Sequence, residues 1–137
     1  MLLPFYSIGQ KYEHVKKYID RVMPYAVLVQ QKYNVPICIT IGVAAMESGW
    51  GRSNVSKVHC NHLGLKGSKG YMSFGSDKEG FLYFGRLLGN SRRYKGLQYI
   101  RDYKTYCIEL SCLGYNKREE YAPGLIQLID QFNLNEL

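Results

Sequence analysis

Glu47 is the residue of this sequence best placed for acid–base chemistry. It ends an almost entirely apolar run, residues 35–46, and precedes the stretch 49–51, which holds two glycines and the only tryptophan. Such a run predicts a helix that is buried on most sides. In the last turn of that helix, the exposed carbonyls and partial burial both disfavour a charged carboxylate, and a neutral carboxylic acid can protonate a glycosidic oxygen. Glu47 is therefore a candidate general acid, with a solvated glutamate beside a helix end as the alternative.

The elements that must position Glu47 are predicted to be mainly helical, with five or so helices and little strand. Residues 11–33, which contain Pro24, predict one bent helix or a pair of helices, and the apolar run 35–46 predicts the buried helix, with Pro36 suited to its first position. A third helix should follow the Ser76–Glu79 capping box. A stripe from Ile100 to Leu110 predicts a fourth helix that stops near Gly114, and a last helix should start at about Pro123. Residues 49–75 predict a loop, or a loop with a short hairpin.

Four stretches carry a resemblance to one known family. Residues 47–53 read Glu-Ser-Gly-Trp-Gly-Arg-Ser, residues 61–67 read Asn-His-Leu-Gly-Leu-Lys-Gly, and Arg93–Tyr94 and the stretch 114–125 follow. Together they resemble the glucosaminidase-domain family of peptidoglycan hydrolases, which includes bacterial autolysins and flagellar muramidases. The first stretch matches closely. The second has a histidine between its asparagine and leucine and lacks the family's aromatic residue, and the other two match loosely.

This resemblance implies a mainly α, lysozyme-like single domain over residues 1–137. The family's β-hairpin lobe is expected to be reduced or absent, because only residues 68–72 separate the second stretch from the lead into the next helix. The resemblance also implies an endo-β-N-acetylglucosaminidase that cleaves the β-1,4 bond after N-acetylglucosamine. Its partner would be the glycan strands of peptidoglycan, Glu47 would be its general acid, and it would need neither cofactor nor metal.

A second catalytic acid is harder to assign. Asp77 and Glu79 are the acids nearest to the missing lobe, and both are better explained as residues that favour the N-terminus of a helix. Without a second acid, the substrate's own 2-acetamido group could act as nucleophile. Tyr115 and Tyr121 occupy the two tyrosine positions of the family's Gly-Tyr element. Either tyrosine is expected to assist catalysis, the alternative being a ring that only fills a helix junction.

Five further residues within the matching stretches are expected to bind substrate or to build the cleft: Ser48, Trp50, Asn61, Leu63 and Tyr94. For Trp50, packing beneath Glu47 stays open as an alternative. The basic stretch 91–96 is expected to face an anionic wall or solvent rather than to form a site.

Three other roles stay open beside the glucosaminidase. A lytic transglycosylase or an N-acetylmuramidase would use the same fold, and a wall-binding or structural protein would keep the fold without activity. The full Glu-Ser-Gly-Trp-Gly-Arg-Ser run favours the glucosaminidase over the transglycosylase, and retention of Glu47 argues against the inactive role.

The amino-acid composition limits the classes of partner that the protein could bind. The net charge of +7 favours polyanions, and the 13 tyrosines suit sugar faces or stacked bases. No nucleic-acid-binding signature accompanies them, so nucleic acid is not expected. His59, Cys60 and His62 follow no standard zinc spacing, so no metal is expected. The four cysteines are expected to be small hydrophobes, with one disulfide left open.

The N-terminal stretch 1–14 lacks a basic start, a long apolar region and a small-residue cleavage site, so no signal peptide is expected. No run approaches the length of a membrane span. The expected place of action is the bacterial cell wall or periplasm, reached by lysis, in a phage particle, or through a secretion or conjugation apparatus. A larger cell-wall-penetrating assembly is a candidate partner.

Overall fold

The computed structural model describes the backbone of residues 5–137 and the side chains of residues 12–137. The expected absence of a signal peptide concerns residues 1–14, most of which lie outside these limits. Within them, no helix combines the length and the apolar character needed to cross a bilayer.

Six α-helices and one short hairpin make up the described residues, so the predicted mainly α fold is confirmed. Their order is α1 (Phe5–Tyr33), α2 (Ile37–Ser48), α3 (Asn54–His59), β1 (Lys66–Gly67), β2 (Gly70–Tyr71), α4 (Asp77–Asn90), a 3₁₀ turn (Lys95–Tyr99), α5 (Tyr103–Cys112), α6 (Tyr121–Gln131) and a second 3₁₀ turn (Leu134–Glu136). Helix α3 was not predicted, because its six residues are too few to show a period.

Helix α2 is the centre of the domain, and it packs against α1, α5 and α6. Residues 38–45 and Ser48 are buried, so the helix is buried on most sides, as its apolar sequence predicts. A Cβ at Gly42 would lie 3.0 Å from Cγ1 of Ile129, so this glycine lets α6 approach closely. The helix begins at Ile37, so Pro36 is its N-cap rather than its first residue as predicted. The helix ends at Gly49, whose left-handed backbone (φ 57°) turns its N–H to the Ala45 carbonyl and leaves Glu47 in the last turn.

Helix α1 runs without interruption through Pro24 and packs against α2 and α4. A proline inside a helix costs about 3 kcal/mol or more. Val22, Ala26 and Val29 lie on both sides of Pro24 with no exposed surface. Each fully buried valine contributes about 1.5–3 kcal/mol relative to an exposed one, so burial offsets the cost of the proline. Of the two predicted possibilities, one helix rather than a pair of helices is formed.

Helix α4 begins at the predicted capping box. The Ser76 hydroxyl accepts a hydrogen bond from the Glu79 N–H, and the Glu79 carboxylate accepts one from the Gly75 N–H at 3.0 Å. Before this helix, β1 and β2 pair Lys66 with Tyr71 and Gly67 with Gly70. Two residues in each strand are all that remains of a hairpin lobe, which agrees with the expected reduction.

All four cysteines are free, so the disulfide left open by the sequence is not formed. Cys38 and Cys107 are buried as predicted, whereas Cys60 is partly exposed and Cys112 is exposed. Burial raises the pKa of Cys38 to about 11 and that of Cys107 to about 12, so both thiols stay protonated and act as small hydrophobes.

Candidate active site

Glu47 lies in the wall of a cleft of about 930 Å³. Four separate parts of the chain form most of the lining: the end of α2, the hairpin with the residues just before it, Arg93–Tyr94, and residues 114–118. The fold therefore brings all four matching stretches of the sequence to one region, although only some of their side chains reach the cleft.

Two neighbours fix the Glu47 carboxylate. Gly64 has a left-handed backbone (φ 65°), and a Cβ at this position would lie within 2.8 Å of the Glu47 Cδ. Only glycine leaves room for the carboxylate there. On the other side, the side-chain amide of Asn116 donates a hydrogen bond to Oε1 of Glu47 at 3.3 Å. The acid group is thus held from both sides and remains open to the cleft.

The two candidate tyrosines take different positions. Tyr115 lines the cleft, and its hydroxyl donates a hydrogen bond to the Leu63 carbonyl. Its ring stacks on Tyr121 at 6.3 Å. Tyr121 is 2% exposed, and its hydroxyl has no hydrogen-bond partner among the described residues. Burial, followed by the nearby Glu47 carboxylate, raises the pKa of Tyr121 far above its ordinary value, so its hydroxyl keeps its proton.

Charge in the cleft is strongly uneven. Glu47 is the one acidic side chain in the lining formed by the described residues. The other charged residues there are exposed and basic, and we call them the cationic rim: Lys66, Arg93, Lys117 and Arg118. Neither candidate for a second acid lines the cleft. Asp77 is hydrogen-bonded to Arg21, and Glu79 caps its own helix.

Of the residues expected to bind substrate, Ser48 and Trp50 lie behind the cleft. Ser48 is 1% exposed, donates to the Ala44 carbonyl and accepts from the Gly51 N–H at 2.8 Å. The Trp50 ring lies 4.9 Å from that of Phe132, and it does not line the cleft. Both residues support the end of α2, and neither lines the cleft.

Asn61 and Leu63 also belong to the scaffold. The Asn61 amide donates to the carbonyls of Leu65 at 2.8 Å and Met72 at 2.9 Å, and its oxygen accepts from the Leu65 N–H. It closes the loop that carries the hairpin. Leu63 has no exposed surface. Among the five predicted residues only Tyr94 lines the cleft, where its ring lies 6.3 Å from Tyr115.

A second group of polar residues lies at the same end of α2, outside the cleft lining: Tyr18, Arg21, Ser48, His62 and Asp77. We call it the buried network after Tyr18, Ser48 and His62, since Asp77 is partly buried and Arg21 is exposed. His62 is fully buried, with Nδ1 at 2.8 Å from the Tyr18 hydroxyl and Nε2 at 3.0 Å from Asp77. In the sequence, His62 stood out as the histidine inserted into the second matching stretch and as part of a His-Cys-His group without standard zinc spacing. No group of three His, Cys, Asp or Glu in the described part of the chain could hold a metal ion.

The titration behaviour of the network follows from its burial. Burial lowers the pKa of His62, although Asp77 works in the other direction. The pKa of Asp77 is lowered as well, because hydrogen bonds from Arg21 and His62 outweigh the effect of burial. A neutral His62 therefore donates from Nε2 to the Asp77 carboxylate and accepts from the Tyr18 hydroxyl at Nδ1.

Sequence analysis missed the cationic rim and Asn116. Arg93 belongs to the basic stretch that was expected to face the wall or solvent, and the structure places it in the cleft lining. Lys117 and Arg118 were visible only as a departure from the family's pattern between the two tyrosines. That departure was the available signal, since it brings in two cations, followed directly by Glu119 and Glu120.

Comparisons with known proteins agree with this architecture. The family model "Glucosaminidase", described as mannosyl-glycoprotein endo-beta-N-acetylglucosaminidase, matches residues 23–134. Exo-glucosaminidase LytG of Bacillus subtilis (strain 168) is 25% identical to this chain in an alignment of 146 residues. The alignment covers 87% of this chain and 52% of that protein. The chain thus spans about half the length of this curated relative.

Two solved structures show the same fold. The catalytic domain of the autolysin Auto from Listeria monocytogenes has a TM-score of 0.78 at 24% identity, with 99% of this chain and 98% of that chain covered. A peptidoglycan hydrolase from Sphingomonas sp. A1 has a TM-score of 0.76 at 23% identity, with 88% and 90% covered.

Proposed function

The chain belongs to the glucosaminidase family and is a glycoside hydrolase, and from this premise we propose that it cleaves the β-1,4 bond after N-acetylglucosamine in peptidoglycan. The observation that carries the proposal is a cleft in which Glu47, held between Gly64 and Asn116, is the one acid among the described lining residues. We place its action at the bacterial cell wall or periplasm.

Glu47 is the proposed general acid. It gives its proton to the glycosidic oxygen as the bond from that oxygen to the anomeric carbon breaks. General acid–base catalysis by one positioned group contributes about 10²–10⁴-fold to a rate. The fixed position of the carboxylate favours this role, because proton transfer needs a donor within hydrogen-bond reach of the leaving oxygen.

The proposed nucleophile is the 2-acetamido group of the N-acetylglucosamine whose bond is cut. Its carbonyl oxygen attacks the anomeric carbon and forms an oxazolinium ring while the leaving sugar departs. Water then attacks the same carbon and reopens the ring, and the Glu47 carboxylate takes the proton of that water. This route needs one protein carboxylate, which is the number found in the described lining.

Of the two tyrosines, we assign the assisting role to Tyr121, as a positioning residue that acts through Glu47. Its hydroxyl is buried near enough to Glu47 for that carboxylate to raise the pKa of Tyr121, whereas the Tyr115 hydroxyl is occupied by the Leu63 carbonyl. Tyr121→Phe keeps the ring and should lower kcat with little change in KM. Tyr115→Phe should instead lower the melting temperature, because it frees the loop that Leu63 belongs to.

The test is mass spectrometry of soluble fragments from purified peptidoglycan, reduced with borohydride after digestion by the wild type and by Glu47→Gln. We expect reduced N-acetylglucosamine ends that disappear with the variant. Reduced N-acetylmuramic acid ends would make the enzyme a muramidase. Absence of fragments from a folded wild type would overturn the proposal and favour a wall-binding role.

A lytic transglycosylase is the second candidate, and the single carboxylate favours it too. It would leave anhydro-muramyl ends, which borohydride does not reduce. The same digest also separates internal from terminal cleavage. An endo-acting enzyme releases long fragments early. An exo-acting enzyme, as the name of the Bacillus subtilis relative describes, cuts from the strand end and releases short fragments from the start.

A further inference from the structure

We propose that the cationic rim binds the carboxylates of the peptides attached to the glycan, so that the enzyme prefers peptide-bearing glycan to neutral glycan. The inference rests on the proposed function and adds the part of the substrate that selects it. Its basis is the charge of the cleft: four exposed cations surround the lone carboxylate in the described lining.

The rim charges are not neutralised by the protein. None of the four rim residues forms an ion pair with any acid of the described residues. The described residues form two ion pairs of lysine or arginine, Lys17 with Glu13 on α1 and Arg21 with Asp77 in the buried network. The ammonium of Lys66 instead lies 5.0 Å from the ring centre of Tyr71, which also lines the cleft.

The proposed glycan itself offers little for four cations to bind. N-acetylglucosamine is uncharged, and the lactyl carboxyl of N-acetylmuramic acid is an amide wherever a peptide is attached. The negative charges of such a strand are therefore the carboxylates of its peptides. Arginine and lysine side chains are the usual partners of carboxylates, and arginine can bind them with two parallel hydrogen bonds.

The rim also has an extension along which a peptide could leave the cleft. Arg93 lines a neighbouring cavity of about 610 Å³ together with Arg92 and Lys95. Glu109 is the one acid in its lining among the described residues. Because Arg93 belongs to both cavities, a peptide that starts at the cleft meets further positive charge outside it.

The expected effect is moderate because the rim is exposed. An exposed ion pair contributes up to about fivefold in affinity, and two pairs of about threefold each together contribute about tenfold. Such contacts also weaken with salt, because charges in 0.15 M salt are screened over about 8 Å. The rim should therefore act on KM and on the salt dependence rather than on kcat.

The experiment uses peptide-bearing glycan strands without cross-links, before and after their carboxylates are converted to amides with carbodiimide and ammonium. Sugar sequence and chain length stay the same, and only the charge changes. We expect kcat/KM of the wild type to fall about tenfold on amidation. The difference between the two substrates should shrink at 0.5 M salt.

The variant Lys117→Gln with Arg118→Gln should show a clearly smaller difference between the two substrates than the wild type, with Lys66 and Arg93 retaining part of it. The matched control is Lys16→Gln with Lys57→Gln, which removes the same charge from exposed positions outside the cleft and should keep the wild-type preference. Equal wild-type rates on both substrates would overturn the inference and leave the proposed function intact. If the folded wild type cut neither form, the proposed function would fail, and this inference with it.

Discussion

At the end of α2, the polar side chains of the buried network and those of the cleft differ in whether the protein itself supplies their partners. The buried network satisfies its own members: His62 is fully buried and has a partner at each ring nitrogen. In contrast, Glu47 and the cationic rim face a cleft, and the rim cations have no acidic partner among the described residues. Polar groups that the protein satisfies itself support the fold, and those it leaves open are available to a ligand.

This comparison predicts different losses for the two groups. Changes to Glu47, Asn116 or the cationic rim should lower activity and leave stability almost unchanged. Changes in the buried network should lower stability, with activity falling only as far as the folded population falls.

The largest effect is expected for Glu47→Gln. The amide keeps the size of the side chain but cannot give up a proton, so activity should fall by about 10²–10⁴-fold. The rate of release of soluble fragments measures the loss, and thermal unfolding should show a melting temperature close to that of the wild type. A marked drop in melting temperature would place Glu47 among the residues that support the fold.

Gly64→Ala should have the next largest effect, because its new methyl group collides with the Glu47 carboxylate. A displacement of about 1 Å costs about 10²-fold in rate. The control is Gly49→Ala, which has a similar φ of 57° but open space around the added Cβ. Both variants should lose about 1–2 kcal/mol of stability from the left-handed backbone. Equal activity of the two variants would show that the collision does not matter.

In the buried network, His62→Gln should lower the free energy of unfolding at pH 7 by about 1–3 kcal/mol, because buried partners lose their hydrogen bonds. The wild type should also lose stability as the pH falls below about 6.5. The unfolded chain then binds a proton that the lowered pKa of His62 prevents the folded chain from binding.

The lowered pKa of Asp77 has the same sign and extends the loss to lower pH, below about 4. Urea unfolding between pH 8 and 5 measures the first part of this dependence. The His62→Gln protein should have a flatter profile over that range. An unchanged slope would mean that another group controls it.

The smallest effect is expected for Asn116→Ala. Its hydrogen bond to Glu47 is long at 3.3 Å and partly exposed, so activity should fall severalfold while stability changes by less than about 0.5 kcal/mol. Asn116→Asp separates two roles, because it keeps the acceptor for the Arg118 N–H but loses the donor to Glu47. Full activity of the aspartate variant would show that only the loop bond matters.

Local signals predicted the fold well. The capping box at Ser76 and Glu79 was readable because both partners lie within four residues of each other. The continuity of α1 through Pro24 was not, because it depends on burial against α2 and α4 rather than on residues near the proline. Sequence spacing contains no information on that packing.

The site was predicted less completely. Glu47 was found from a helix end and a closely matching stretch, and its chemical role remains a proposal. Ser48 and Asn61 lie outside the cleft lining, and a matching stretch does not distinguish a residue that contacts substrate from one that holds the backbone in place. The cationic rim was missed because its members come from three distant segments that meet only after folding.

The short hairpin has a consequence for how a long polymer reaches Glu47. Lys66 and Tyr71 form one edge of the cleft, and each strand there has only two residues. Under the proposed function, so low an edge lets a glycan strand enter the cleft from the side, so that no free end of the glycan has to be threaded in. A cross-linked wall is a mesh with few loose ends, and sideways entry gives access to the middle of its strands. The shortened lobe then makes fewer contacts with the glycan but gives Glu47 access to bonds along the whole strand.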